Sequence, residues 1–107
     1  MKNIKELEED IKYYDDLIQK FKTLNSSDFT TAYKLAQAAL VAADRWNEIM
    51  LDSVKYTKDI NYTKSEFTSY CYQKYKVLMK MHDFARVIYR QGSYGIQNSF
   101  YNEDLYD

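Results

Sequence analysis

Residues 63–92 read TKSEFTSYCYQKYKVLMKMHDFARVIYRQG, and this stretch decides the fold. It opens on Thr63-x-x-Glu66, the spacing of a capping box. The Thr hydroxyl accepts from the amide three residues on, while the Glu carboxylate reaches back to the Thr63 amide. It closes on Gly92, which supplies the left-handed residue a helix C-terminus favours. Between these signals Phe67, Tyr70, Cys71, Val77, Leu78, Met81, Phe84, Ala85 and Ile88 fall on one broad apolar face at helical spacing. Lys74 projects into the middle of that face, where it either snorkels outward or marks a seam between two contact surfaces. On the opposite side Tyr72, Lys76, Met79, Asp83, Arg86 and Arg90 form a second stripe at alternating steps of four and three. The expectation is a helix over 64–91 with an inward and an outward face.

The preceding chain supplies what packs on it. Proline is absent, and both glycines lie after residue 91, so neither strong helix breaker occurs in the first ninety residues. Ile4, Leu7, Ile11, Tyr14, Ile18 and Phe21 recur at alternating steps of three and four, flanked by Leu17 and Leu24, and predict a helix over about 3–24. That seam suits either an intramolecular bundle or a coiled-coil dimer, and three heptads are short for an isolated coil. Asn25-Ser26-Ser27-Asp28 is a turn whose side chains bond backbone locally, with Ser27 or Asp28 capping the next helix. The second helix is expected over 29–55. Leu35, Trp46, Ile49, Met50 and Val54 face inward with a stripe of Ala32, Ala36, Ala39 and Ala43 that lets a neighbouring backbone approach closely. Trp46 reads as a core anchor. Tyr56 to Tyr62 lacks a helical seam and reads as the second connection.

The fold class is therefore all-α: an antiparallel three-helix bundle of long helices over residues 1–92, with a short acidic-aromatic C-terminal tail over 93–107. At 1.5 Å per residue such helices make an elongated rod roughly 30–40 Å long. The tail carries Tyr94, Ile96, Phe100, Tyr101, Leu105 and Tyr106, too many apolar groups for a segment that only solubilises. Lys74, Lys76, Lys80, Arg86 and Arg90 stand against Asp83 alone, whereas residues 96–107 hold Glu103, Asp104 and Asp107 and no base. This +4 block and −3 tail are the chief asymmetry in a chain of net charge −1. It suggests that the tail covers the outward stripe within one molecule.

Catalytic constellations do not assemble from this sequence. His82 is the single histidine and Cys71 the single cysteine, which excludes paired-histidine, cysteine-zinc and disulfide frameworks within one chain. Cys71, on an apolar face without a base nearby in sequence, reads as a small hydrophobe, and His82 as a partly buried structural residue. Adjacent acids such as Glu8-Glu9-Asp10 diverge by about 100° around a helix and are not poised for acid–base work. No glycine-rich phosphate loop precedes a helix. The expectation is no enzyme activity, no metal and no cofactor. No apolar run approaches a membrane span, so no membrane partner is expected and the default location is cytoplasmic.

Partner binding is the remaining class. The stripe Tyr72, Lys76, Met79, Arg86 and Arg90 combines anchors suited to an acidic protein groove or to phosphates, and Tyr94, Phe100, Tyr101 and Tyr106 add the tail's aromatics. Two readings of the twelve tyrosines stay open: interface chemistry, and the codon usage of a low-G+C genome. The segments ALVAADRWNEI and KYKVLMKMHDFARVIYRQGS resemble, in pattern, the small helical proteins that phages of low-G+C bacteria encode. That resemblance implies a phage-encoded inhibitor of a host defence protein, anti-CRISPR proteins being one such class. A second resemblance is to bacteriocin-immunity proteins, whose bundles usually have four helices where three long ones are read here. The expected function is a non-enzymatic protein that blocks or modulates a protein partner, with self-association through the first-helix seam as a homodimer. A nucleic-acid-binding accessory protein and an immunity-type bundle are the alternatives.

Overall fold

The computed structural model describes the backbone of residues 2–57 and 63–101, and side-chain surroundings over 5–57 and 63–91. All elements are helices: α1 (Lys2–Lys22), α2 (Phe29–Leu51), α3 (Ser53–Thr57) and α4 (Lys64–Tyr101). No strand occurs among the described residues. The principal extents are 55 × 25 × 18 Å, a shape whose long axis matches the length of α4.

The local signals operate as their chemistry dictates. Thr63 donates its backbone N–H to Glu66 Oε1 at 2.9 Å, and the Glu66 N–H donates to Thr63 Oγ1 at 3.1 Å, so both halves of the capping box close. Asp28 caps α2 by accepting from the Thr31 amide at 3.1 Å. In the turn before it, Asn25 Oδ1 accepts from the Ser27 amide at 2.8 Å and the Ser27 hydroxyl at 2.7 Å. Thr23 donates its hydroxyl to the Gln19 and Lys20 carbonyls at 3.3 Å, satisfying acceptors that the end of α1 leaves open.

Alanine sets the packing distance. Ala32, Ala36, Ala39 and Ala43 are all fully buried, and α2 meets α4 in the most extensive helix contact of the molecule. Small side chains let two helix axes come to about 8 Å instead of about 10 Å. Tyr33 meets the Tyr89 ring edge-on at 5.0 Å, and Trp46 meets Tyr70 at 6.0 Å, so rising numbers on α2 face falling numbers on α4. The approach is close enough for His82 Nδ1 to donate to the Ala36 backbone carbonyl at 2.8 Å. α1 lies farther out, on larger side chains. Leu7 and Leu17 are buried, and Tyr14 packs edge-on against Trp46 at 6.4 Å. Trp46, 1% exposed, is the anchor all three long helices share. A ring of its class buries roughly 150–250 Å², worth ~4–6 kcal/mol at ~25 cal/mol per Å² before entropy is charged against it.

Four expectations need correction. The second helix does not run to Lys55. It stops at Leu51, and the chain breaks at Asp52 (φ −110°, ψ 39°) before restarting as α3. Asp and Ser compete with the helical ladder through their own side chains. The Lys55 amide takes the Asp52 carbonyl at 3.1 Å, one residue short of the α-helical step. The second correction follows from the first. α3 turns Tyr56 inward, stacked on Phe67 at 5.8 Å, and leaves Val54 53% exposed where the periodicity had placed it inside. The third concerns Phe84, assigned to the core by the same arithmetic but 62% exposed.

α4 also differs in length, continuing through Gly92 to Tyr101 instead of ending at Gln91. Glycine costs about 1 kcal/mol inside a helix and weakens it without forcing a stop. Tyr106 and the rest of 102–107 lie outside the described residues.

Candidate interaction surface

The site follows from unequal helix spacing. α2 closes on α4 through alanines, whereas α1 is held off by leucines and aromatic rings, so the α1–α4 seam stays open over its second half. There Ile18 and Phe21 of α1 and Val77, Met81 and Phe84 of α4 line an apolar groove of about 340 Å³. Lys22 and Lys80 stand on its two banks. Ile18, Phe21, Val77 and Met81 are each half-buried, so the groove is finished on its floor and open at its mouth. Phe84 is the exposed lip, and Val87, 52% exposed, continues the apolar surface one turn along.

A second groove of about 290 Å³ lies between α1 and α2, lined by Asp10, Tyr13, Val41, Ala42, Arg45 and Trp46. An ion pair closes it. Arg45 Nε donates to Asp10 Oδ2 at 3.0 Å, Nη2 lies 2.9 Å from the same oxygen in the ion pair, and Tyr56 OH accepts from Nη2 at 3.5 Å. The Asp10 hydrogen bond, above all, raises the Arg45 pKa further and keeps the guanidinium charged. This groove is bridged by structural bonds, whereas among the described residues no hydrogen bond or ion pair joins α1 to α4 across the mouth of the other.

The outward stripe of α4 divides into two parts. Tyr72 and Lys76 are exposed, with Lys76 Nζ 5.0 Å from the Tyr72 ring, and Tyr72 stacks on Tyr75 at 6.3 Å. Met79 packs against the core. Arg86 and Arg90 are half-buried, and Arg86 Nε is sequestered without a hydrogen-bond acceptor. Asp83 is exposed and forms no ion pair with Arg86 among the described residues. The side chains of Tyr94, Phe100 and Tyr101 and the whole of Tyr106 lie outside the described residues.

The reactive side chains have structural partners. Cys71 is fully buried, and that burial pushes its thiol up to about 11. His82 is half-buried with its Nδ1 proton committed to Ala36, which fixes the tautomer if the ring is neutral. Lys74 resolves the choice left by the sequence: it sits on the seam. Its Nζ lies 4.1 Å from the Tyr14 ring, 4.5 Å from Tyr70 and 5.7 Å from Trp46, one ring from each long helix. Burial lowers its pKa, Asp15 and Cys71 act against that, and the negative ring faces favour the cation. Among the described residues no group of His, Cys, Asp and Glu is arranged to hold a metal ion. No described helix is long and apolar enough to cross a membrane.

Sequence reasoning passed over the groove because it counted Phe84 with the core. A usable signal was present. The apolar arc of the third helix is wider than one alanine-rich neighbour and one shorter helix can cover. No protein-family model, curated protein or solved structure matches this chain.

Proposed function

We propose that this protein is a non-enzymatic binder, an antiparallel three-helix bundle that blocks or modulates another protein through the groove between α1 and α4. One observation carries the reading: Phe84, 62% exposed, forms the lip of an apolar groove flanked by lysines. Burying a phenylalanine is worth about 1.5–3 kcal/mol, and central aromatic anchors dominate interface energetics. Lys22 and Lys80 select a segment that combines apolar anchors with acidic side chains. The resemblance to phage-encoded inhibitors of host defence gives that partner a class, a host protein such as a CRISPR effector, met in the host cytoplasm. The half-burial of Arg86 and Arg90 and the inward turn of Met79 favour this groove over the α4 stripe as the binding face.

The test is affinity capture from host lysate by the native chain and by Phe84→Glu, with proteins identified by mass spectrometry. A stoichiometric protein held by the native chain and lost with Phe84→Glu, at unchanged thermal stability, supports the reading. Retention of that protein by Phe84→Glu removes the groove from the function.

A further inference from the structure

We infer that the α1–α4 groove is the seat of the C-terminal segment of a second copy of this chain, residues 102–107 (NEDLYD), so that the free protein is a two-fold dimer whose tails cover its binding faces. This rests on the groove being the binding face proposed above. The segment has the chemistry the groove selects. Glu103, Asp104 and Asp107 complement Lys22 and Lys80, and Leu105 and Tyr106 supply apolar anchors for the floor of Ile18, Phe21, Val77 and Met81.

Reach decides between one molecule and two. α4 runs to Tyr101, 17 residues beyond Phe84, which places its end about 25 Å from the near edge of the groove and about 36 Å from Val77. Six residues span at most ~20 Å even when fully extended. Residues 102–107 therefore cannot fill the groove of their own chain while α4 is a continuous helix, and the intramolecular cover by this segment that the charge pattern suggested is replaced by one in trans.

The geometry also fixes a symmetry. For the end of one α4 to lie at Phe84 of another, two antiparallel α4 helices must cross where their numbering is halfway between 84 and 101, at Gly92–Ser93. Gly92, Ser93 and Gly95 are the small residues that such a close crossing needs, which accounts for glycines that do not end the helix. The interface is isologous and closes on itself, giving a dimer and not a filament. It also gives neighbours to the end of α4. Tyr33 meets Tyr89, so Phe29, the first residue of α2, lies level with Ser93, and among the described residues no helix of the same chain is placed beside the backbone of residues 94–101. Two turns of helix without a neighbour are marginal in water.

The experiment is sedimentation equilibrium over a wide concentration range on the full chain, on a chain ending at Tyr101, and on the full chain carrying Glu103→Lys, Asp104→Lys and Asp107→Lys. The expected result is a dimer for the full chain, weakened about tenfold or more by either change and weakened by salt. Circular dichroism confirms that each variant folds, and the charge-reversed chain decides if the truncated one does not. A full chain that is monomeric throughout, or a truncated chain that dimerises as tightly as the full one, overturns the inference. A labelled NEDLYD peptide separates the two levels. Binding to the truncated chain that Phe84→Glu abolishes, alongside a monomeric full chain, sinks the tail exchange and leaves the groove reading standing. Peptide binding unaffected by Phe84→Glu sinks both.

Discussion

Substituting Ala36 by leucine tests the packing on which the whole arrangement depends. Ala36 is fully buried, and its backbone carbonyl accepts the His82 Nδ1 proton at 2.8 Å, so α4 lies directly against the α2 backbone there. Three additional carbons at this point have no space to occupy. Overpacking a dense core costs about 1–3 kcal/mol, and separating the helices also forfeits the His82 bond, worth ~0.5–1.5 kcal/mol. Leucine is nearly as good a helix former as alanine, so propensity contributes little. The sum, about 2–4 kcal/mol, is a large share of the ~5–15 kcal/mol that holds a typical domain together. For a domain near this size it lowers the melting temperature by about 10–20 °C. The assay is thermal and urea unfolding followed by far-ultraviolet circular dichroism. Gln37→Leu, one residue away and exposed, serves as the control and is expected to stay within ~0.5 kcal/mol of the native chain. An Ala36→Leu protein that melts with the native one would show that the alanine stripe does not set the helix spacing.

Two further outcomes follow from local chemistry. With its thiol pushed up to about 11 and fully buried, Cys71 in the native chain should react with an aromatic disulfide reagent at pH 8 at least ~100-fold more slowly than in denaturant; equal rates would place the thiol at the surface. The capping box gives a stability difference with a definite pH sense. Thr63→Ala should cost about 1 kcal/mol at neutral pH. Glu66 is held below its usual pKa, first by the hydrogen bond from the Thr63 amide, so its contribution is present above the unfolded carboxylate value. That contribution is lost as pH falls through the lower, folded value. The gap in melting temperature between native and Glu66→Ala proteins should therefore shrink between pH 7 and pH 3, and a constant gap would mean that the carboxylate does not cap.

Local signals were the legible part. The capping box, the Asn25–Asp28 turn and the alanine stripe depend on a few neighbouring residues, and each appears where the sequence puts it. Periodicity failed where it had to say what lies opposite a face. It assigned Val54 and Phe84 inward from their angle around the helix, but a side chain is buried only if another element reaches it. Beyond Asp52 the helix restarts on a new axis, and at Phe84 the shorter α1 stands too far off to cover the ring. The groove was hidden for the same reason, because its width depends on how far α1 is held away by Trp46 and Tyr14. Lys74 was legible as an anomaly and illegible as a solution, since its three rings come from positions 14, 46 and 70.

That lysine also constrains which bundle can form. Along α1 the residues one turn either side of Tyr14 are Ile11 and Ile18. If α1 slid by a turn, nearly every leucine and isoleucine would still find an apolar neighbour, and the misfit would cost little in buried area. The ammonium would then face an isoleucine and lose its closest ring, leaving a poorly solvated charge uncompensated. A greasy seam tolerates sliding, whereas a single cation that must meet one ring from each helix acts as an indexing pin. It allows one alignment of α1, α2 and α4, and it is that alignment which leaves Phe84 at the lip of an open groove.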